Sequence, residues 1–153
     1  MLLLFVLLVA AVAMVGVQFQ PGDWYEHLEK PFWTPPNWVF PMVWSILYLM
    51  IAIAGWLIFS TTNSTLKILW GAQLALNGLW SWLFFGMHQV GLGLIDIMAM
   101  LACITMLAIL SRQTQKSIYW LMVPYMLWVT YAATLNAAIF LLNPAINSTG
   151  SAL

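Results

Sequence analysis

The placement of charge limits this chain more than any other feature. Its 153 residues carry four basic and four acidic side chains. Half of these, Asp23, Glu26, Glu29 and Lys30, crowd into one short stretch. Elsewhere only Lys67, Asp96, Arg112 and Lys116 interrupt long apolar runs. A soluble domain carries about 25% charged residues, whereas this chain has 5%, with 64% hydrophobic. Such a chain cannot coat itself for water, and lipid is the solvent that tolerates its surface.

A helix that crosses a bilayer needs about 20 mainly apolar residues. Five runs meet that need: 2–18, 35–60, 66–87, 91–111 and 117–142. Their breaks are Pro21-Gly22, Thr61–Ser64, the turn after Met87, Arg112–Lys116 and Asn143-Pro144. The expectation is an all-α integral membrane protein, one domain over 1–153 built as a five-transmembrane-helix bundle. A cleaved signal is the other reading of the first run, because Ala11-Val12-Ala13 resembles a small-residue cleavage site. No positive residue precedes that run, as a signal would require, so a span is preferred.

The one long connection, 19–34, leads into Lys30-Pro31-Phe32-Trp33-Thr34-Pro35-Pro36-Asn37-Trp38. Thr34 suits an N-cap and Pro35 a first helical turn, with Pro41 expected to bend the helix one turn on. Prolines this dense stiffen a loop, which points to a lid between helices 1 and 2. Lys67, Arg112 and Lys116 share the side of the N-terminus, and Lys30 lies opposite. Cations favour the inside, so the N-terminus is expected in the cytoplasm.

Three runs carry mixed aromatic and polar stripes at helical spacing. They are Trp44, Tyr48, Ile51 and Gly55; Gln73, Asn77, Trp80 and Phe84; and Tyr125, Trp128, Ala132 and Asn136. Polar groups facing lipid are costly, so the stripes turn inward. Singly, Gln73, Asn77 or Asn136 reads as interhelical glue. Together, the stripes describe a pocket for a flat, largely apolar ligand. Asp96 is the one ionisable residue deep inside a run, which makes it a candidate for function as much as for structure. Trp33, Trp38, Trp56 and Trp120 lie near run ends, where aromatic belts collect; Trp44 and Trp128 lie deeper and are the preferred ligand-facing rings. His27 and His88 read as solvated loop residues. Gly71, Ala75 and Gly78 give the third helix a small-residue side that permits a close helix pair, hence a homodimer through that helix.

Several classes fall away. Net charge is zero and no basic run exists, which argues against nucleic acid. Two histidines and one cysteine, Cys103, are too few for an ordinary metal site, and no cofactor is required. No nucleophile–base arrangement, phosphate loop or carboxylate pair is present.

The ordered motifs resemble the tryptophan-rich sensory protein family, which includes the mitochondrial translocator protein, or peripheral benzodiazepine receptor. The first is Trp24-Tyr25 with Leu28, then Lys30-Pro31-Phe32-Trp33-Thr34-Pro35-Pro36, Val39-Phe40, Trp44 and Leu47-Tyr48. The second is Gln73, Asn77, Trp80 and Phe84-Phe85-Gly86, and the third Val123-Pro124-Tyr125, Trp128, Ala132 and Leu135-Asn136. The match runs from about Trp24 to Asn136, nearly the whole chain. The resemblance implies five helices, dimerisation, and a pocket in the bundle covered by the first loop. It implies binding of tetrapyrroles, protoporphyrin IX above all and haem as a further candidate, and of benzodiazepine-site ligands. By position, Trp44 and Asn77 match contacts to ligand carbonyls, Trp128 and Ala132 match the pocket wall, and Asp96 matches an acidic position of bacterial members. The candidate ligand-binding set is therefore Trp24, Tyr25, Trp33, Trp38, Trp44, Tyr48, Asn77, Trp80, Asp96, Trp128 and Ala132. The family's sterol motif needs a tyrosine and then a cation after Leu135-Asn136. Here Ala137-Ala138-Ile139-Phe140-Leu141 follows, which argues against sterol recognition.

The expected function is a membrane receptor or transporter for porphyrins, with a bacterial cell membrane as its location. Light-driven oxidative degradation of porphyrin through Trp44 and Trp128, which the resemblance also implies, is the enzymatic alternative. A membrane scaffold is the third.

Overall fold

The apolar runs become helices whose ends are set by local chemistry. The computed structural model describes residues 1–19 and 21–144, so the expected domain of 1–153 extends past them. Six α-helices form: α1 (Leu2–Gln18), α2 (Asp23–Glu26), α3 (Val39–Phe59), α4 (Ser64–Ser81), α5 (Val90–Thr114) and α6 (Lys116–Leu142). A π-helical turn, Trp82–Gly86, continues α4. No strand occurs among the described residues.

Three boundaries differ from the sequence reading. The second run begins its helix at Val39, not at Pro35. A residue before proline is disfavoured in the α region, so Pro35, which precedes Pro36, is a poor first helical residue and Thr34 has no helix there to cap. Thr34 instead donates its hydroxyl to the Pro31 carbonyl at 2.7 Å, closing a turn. Pro41 therefore lies in the first turn of α3, where a missing N–H costs nothing, rather than one turn inside. The polar stretch Arg112–Lys116 does not form a loop: α5 runs on to Thr114 and α6 starts at Lys116, leaving Gln115 as the break. Arg and Gln are good helix formers, and polarity alone does not end a helix. Asn63 caps α4, its side-chain oxygen accepting from the Leu66 N–H at 3.2 Å.

The five longer helices close a ring in which α1 touches α3, α3 touches α6, α6 touches α5, α5 touches α4, and α4 returns to α1. The main core lies inside this ring, around Ile51, Met100, Ile104, Met122 and Tyr125. Gly55 permits its tightest contact, since a Cβ there would lie 2.5 Å from the Trp70 ring. By length and apolar content α3, α5 and α6 suffice to cross a membrane, while α1 is a shorter apolar helix. On α4 the small residues divide: Gly71 and Ala75 are exposed, and Gly78 faces Val12 of α1.

Candidate functional site

The ring of helices encloses a cavity of about 400 Å³. From α3 come Phe40, Trp44 and Tyr48, and from α4 Asn77, Trp80 and Ser81. Trp128 and Ala132 of α6 face them, and Ile97 and Met100 of α5 form the floor. Ala13, Gly16 and Val17 of α1 complete the wall. Phe19, Pro21 and Asn37, from the connection between α1 and α3, reach its edge. Among the described residues, no Lys, Arg, Asp or Glu lines it. The walls are thus mainly aromatic with a few neutral hydrogen-bonding groups, a lining that suits a flat, mostly apolar ligand.

The ring positions are fixed by the stripes seen in sequence. Trp44 stacks on Tyr48 with centroids 5.3 Å apart and meets Tyr125 edge-on at 6.2 Å. Tyr48 donates its hydroxyl to Asn77 Oδ1 at 3.1 Å, and Asn77 Nδ2 donates to Tyr125 Oη at 3.2 Å. Tyr125 in turn donates to Gln73 Oε1 at 2.8 Å. This relay ties α3, α4 and α6 together, running from Tyr48 and Asn77 in the cavity wall to Tyr125 and Gln73 behind it. A second bridge runs from Trp80 Nε1 to Asn136 Oδ1 at 3.1 Å, and from Asn136 Nδ2 to the Val90 carbonyl at 2.9 Å. Gln73 and Asn136 are interhelical glue. Asn77 belongs to the relay and to the cavity wall, so it fixes the site and also presents an amide to it.

Of the sequence-derived candidates, Trp44, Tyr48, Asn77, Trp80, Trp128 and Ala132 meet at this cavity. Trp24, Tyr25, Trp33, Trp38 and Asp96 do not line it. Trp24 stacks on His88 with centroids 4.2 Å apart, so His88 is a ring partner as well as an exposed loop residue. His88 has φ 57° and reverses the chain between the π turn and α5. Tyr25 and Leu28 are buried in a second cluster with Phe84, Val90, Leu135 and Ile139. Burial pushes the Tyr25 phenol above its ordinary value, and nearby Tyr131 adds to this. Trp33 and Trp38 are 46% and 64% exposed, which suits a belt rather than a pocket. Asp96 is buried with neither carboxylate oxygen partnered among the described residues.

The loop is stapled down. Lys30 Nζ donates to the carbonyls of Tyr25, Glu26 and Leu28, and lies 4.7 Å from the Tyr25 ring centre. The Glu29 N–H donates to Asn143 Oδ1 at 3.0 Å, and Asn143 Nδ2 donates to the Glu29 carbonyl at 2.9 Å. Tyr131 donates its hydroxyl to the Trp33 carbonyl at 2.9 Å.

The sequence reading missed the α1 wall. Its only signal was the small pair Ala13 and Gly16, three residues apart, within a helix apolar on every side. It also missed Phe85, which the π turn brings to the cavity while burying Phe84. Such turns gather at functional sites.

Fold and cavity together define a helical membrane protein with an aromatic-walled interior pocket. Residues 3–142 match the TspO/MBR family, and the chain belongs to that family. It is 38% identical over 145 residues to the tryptophan-rich protein TspO of Archaeoglobus fulgidus, across 90% of this chain and 94% of the relative. It is 34% identical to protein CrtK of Rhodobacter capsulatus, across 88% of each chain. To the translocator protein of Homo sapiens it is 31% identical, across 82% of this chain and 80% of that one.

Proposed function

We propose that the protein is a porphyrin-binding membrane receptor or transporter, with the interior cavity as its site. The observation that carries this reading is that Trp44 and Trp128, far apart in sequence, wall one cavity together with Tyr48, Asn77, Trp80 and Ala132. Stacking on an aromatic wall contributes about 0.5–1.5 kcal/mol per ring pair beyond area burial. Protoporphyrin IX supplies such a flat face. Its carboxylates find no cation in the lining, so they stay at the edge formed by Pro21 and Asn37, where water solvates them. Benzodiazepine-site ligands are a second class for the same walls, with Asn77 exchanging its weak bond to Met100 Sδ for a ligand carbonyl.

In this reading all five longer helices cross the membrane, a bacterial cell membrane, and the loop between α1 and α3 acts as the lid. The N-terminus lies in the cytoplasm, on the side of Lys67, Arg112 and Lys116. Two copies meet through the exposed Gly71 and Ala75 of α4. The test is a protoporphyrin IX titration in nanodiscs, followed by quenching of tryptophan fluorescence. Trp44→Ala is expected to weaken affinity about thirtyfold, the equivalent of about 2 kcal/mol. An unchanged affinity would remove the cavity from consideration. Light-driven oxidation of the bound ring is the second reading, favoured by two indoles facing one cavity. Product analysis of illuminated porphyrin with and without protein separates it from binding.

A further inference from the structure

Trp128 is a wall shared by two spaces. Its ring borders the interior cavity and also a groove of about 390 Å³ between α3 and α6. Ile46 of α3 and Leu127 of α6 line that groove and are 58% and 63% exposed. The groove therefore opens on the outer, apolar face of the bundle, which hydrocarbon covers in a membrane. Among the described residues, Trp128 alone lines both spaces.

Three features leave this indole free to swing. First, its Nε1 is buried and has no acceptor among the described residues. Polar side chains between membrane helices are ordinarily pinned by a hydrogen bond to a neighbouring helix, and here no such bond holds the ring. Second, neither neighbouring ring stacks flat on it: Phe40 meets it edge-on at 5.9 Å and Tyr131 at a tilt of 36° and 5.5 Å. Third, Pro124 lies inside α6, one turn before Trp128. A proline there lacks the N–H that would bond the Trp120 carbonyl, which weakens the turn just before the one that carries Trp128. On the loop side the arrangement is the opposite. Asn143 ties the loop to the end of α6 with a pair of hydrogen bonds to Glu29, and Lys30 braces the loop internally through the Tyr25 and Leu28 carbonyls. The easier opening is sideways.

Resting on the reading of the interior cavity as the binding site, we infer that ligands reach it from within the bilayer, through the α3–α6 groove, with Trp128 as the gate. The class of ligand follows. It is a planar compound that dissolves in the membrane. Tyr131 couples the gate to the loop, since its ring touches Trp128 while its hydroxyl holds the Trp33 carbonyl.

The test plugs the groove without touching the cavity. In a Cys103→Ser background, Leu127→Cys and, separately, Ile46→Cys are labelled with a bulky aliphatic maleimide in nanodiscs. Ile109→Cys, on the exposed face of α5, is labelled as the control. Protoporphyrin IX association and dissociation are followed by stopped-flow tryptophan quenching. Labelling either groove position is expected to slow both rates by about tenfold or more, with Kd held within about twofold, because a blocked route changes kinetics and not equilibrium. The control label changes neither rate. Unchanged rates at both groove positions would overturn the route. So would a weaker Kd with faster dissociation, which would make the groove part of the site rather than its approach. A separate failure is visible in the unlabelled protein: if quenching there ignores Trp44→Ala, the cavity reading itself falls and the gate with it.

Discussion

Gly55→Ala adds one methyl group at the tightest point of the bundle. The new Cβ would lie 2.5 Å from Cε2 and Cζ2 of Trp70, and 2.9 Å from Cδ1 of Phe5. Carbon atoms settle about 3.5–4.0 Å apart, so roughly 1 Å of space has to be made. Neither ring yields easily. Trp70 and Phe5 are each 3% exposed and meet edge-on at 5.4 Å. Trp70 also donates its Nε1–H to the Ile51 carbonyl at 3.0 Å, one turn before Gly55 on the same helix. If the helices part instead, overpacking costs about 1–3 kcal/mol. If the indole moves, its buried N–H loses its acceptor, at about 1–3 kcal/mol. Against either stands a gain of about 1 kcal/mol from replacing glycine by alanine within a helix. The net expectation is a loss of up to about 2 kcal/mol. Gly71→Ala is the matched comparison, because a Cβ there meets nothing within 4 Å. It keeps the helix gain without the clash and is expected to be neutral or stabilising. Unfolding of both variants in detergent, at concentrations that hold the protein monomeric, gives the comparison directly. Should Gly55→Ala unfold at or above the midpoint of the parent, α3 and α4 do not meet as described.

Other outcomes are expected. Trp128→Ala weakens porphyrin binding about as much as Trp44→Ala, Asn77→Ala costs about 1–2 kcal/mol, and Trp56→Phe changes little; a Trp56 effect equal to that of Trp44 would place the pocket elsewhere. Asp96→Asn leaves porphyrin affinity within about twofold, because Asp96 does not line the cavity; a tenfold loss, about 1.4 kcal/mol, would put it in the ligand's path. Gly71→Leu with Ala75→Leu yields monomers, and an unchanged dimer on crosslinking in bilayers would move the interface away from α4. Asn143→Ala removes both bonds to the Glu29 backbone and speeds proteolysis in the loop; unchanged cleavage would show that the Tyr25–Leu28 cluster alone holds it.

Lipid exposure is a local property, set one side chain at a time, and so it is legible in sequence. The near absence of charge determined the solvent, and the polar and proline breaks placed the helices to within a few residues. The stripes around Tyr48, Asn77 and Trp128 showed their inward side because an amide or hydroxyl has a strong preference against hydrocarbon. Where a helix carries no such group, the sequence is silent. Leu2–Gln18 is apolar all round, so no polar group marks Ala13 and Gly16 as cavity wall, and their small size is the only sign. In water an apolar stripe would have marked the inner face; in lipid both faces are apolar and the choice falls to shape. Shape is decided between helices. Only the tertiary structure closes α3 against α6 and α4 against α1, and that ring places Trp44 opposite Trp128. It also draws Trp24 and Tyr25 onto Phe84 and away from the cavity, and buries Asp96 with no hydrogen-bond partner among the described residues. Each outcome depends on which side chains fit one another across distant segments, a property that no single segment contains.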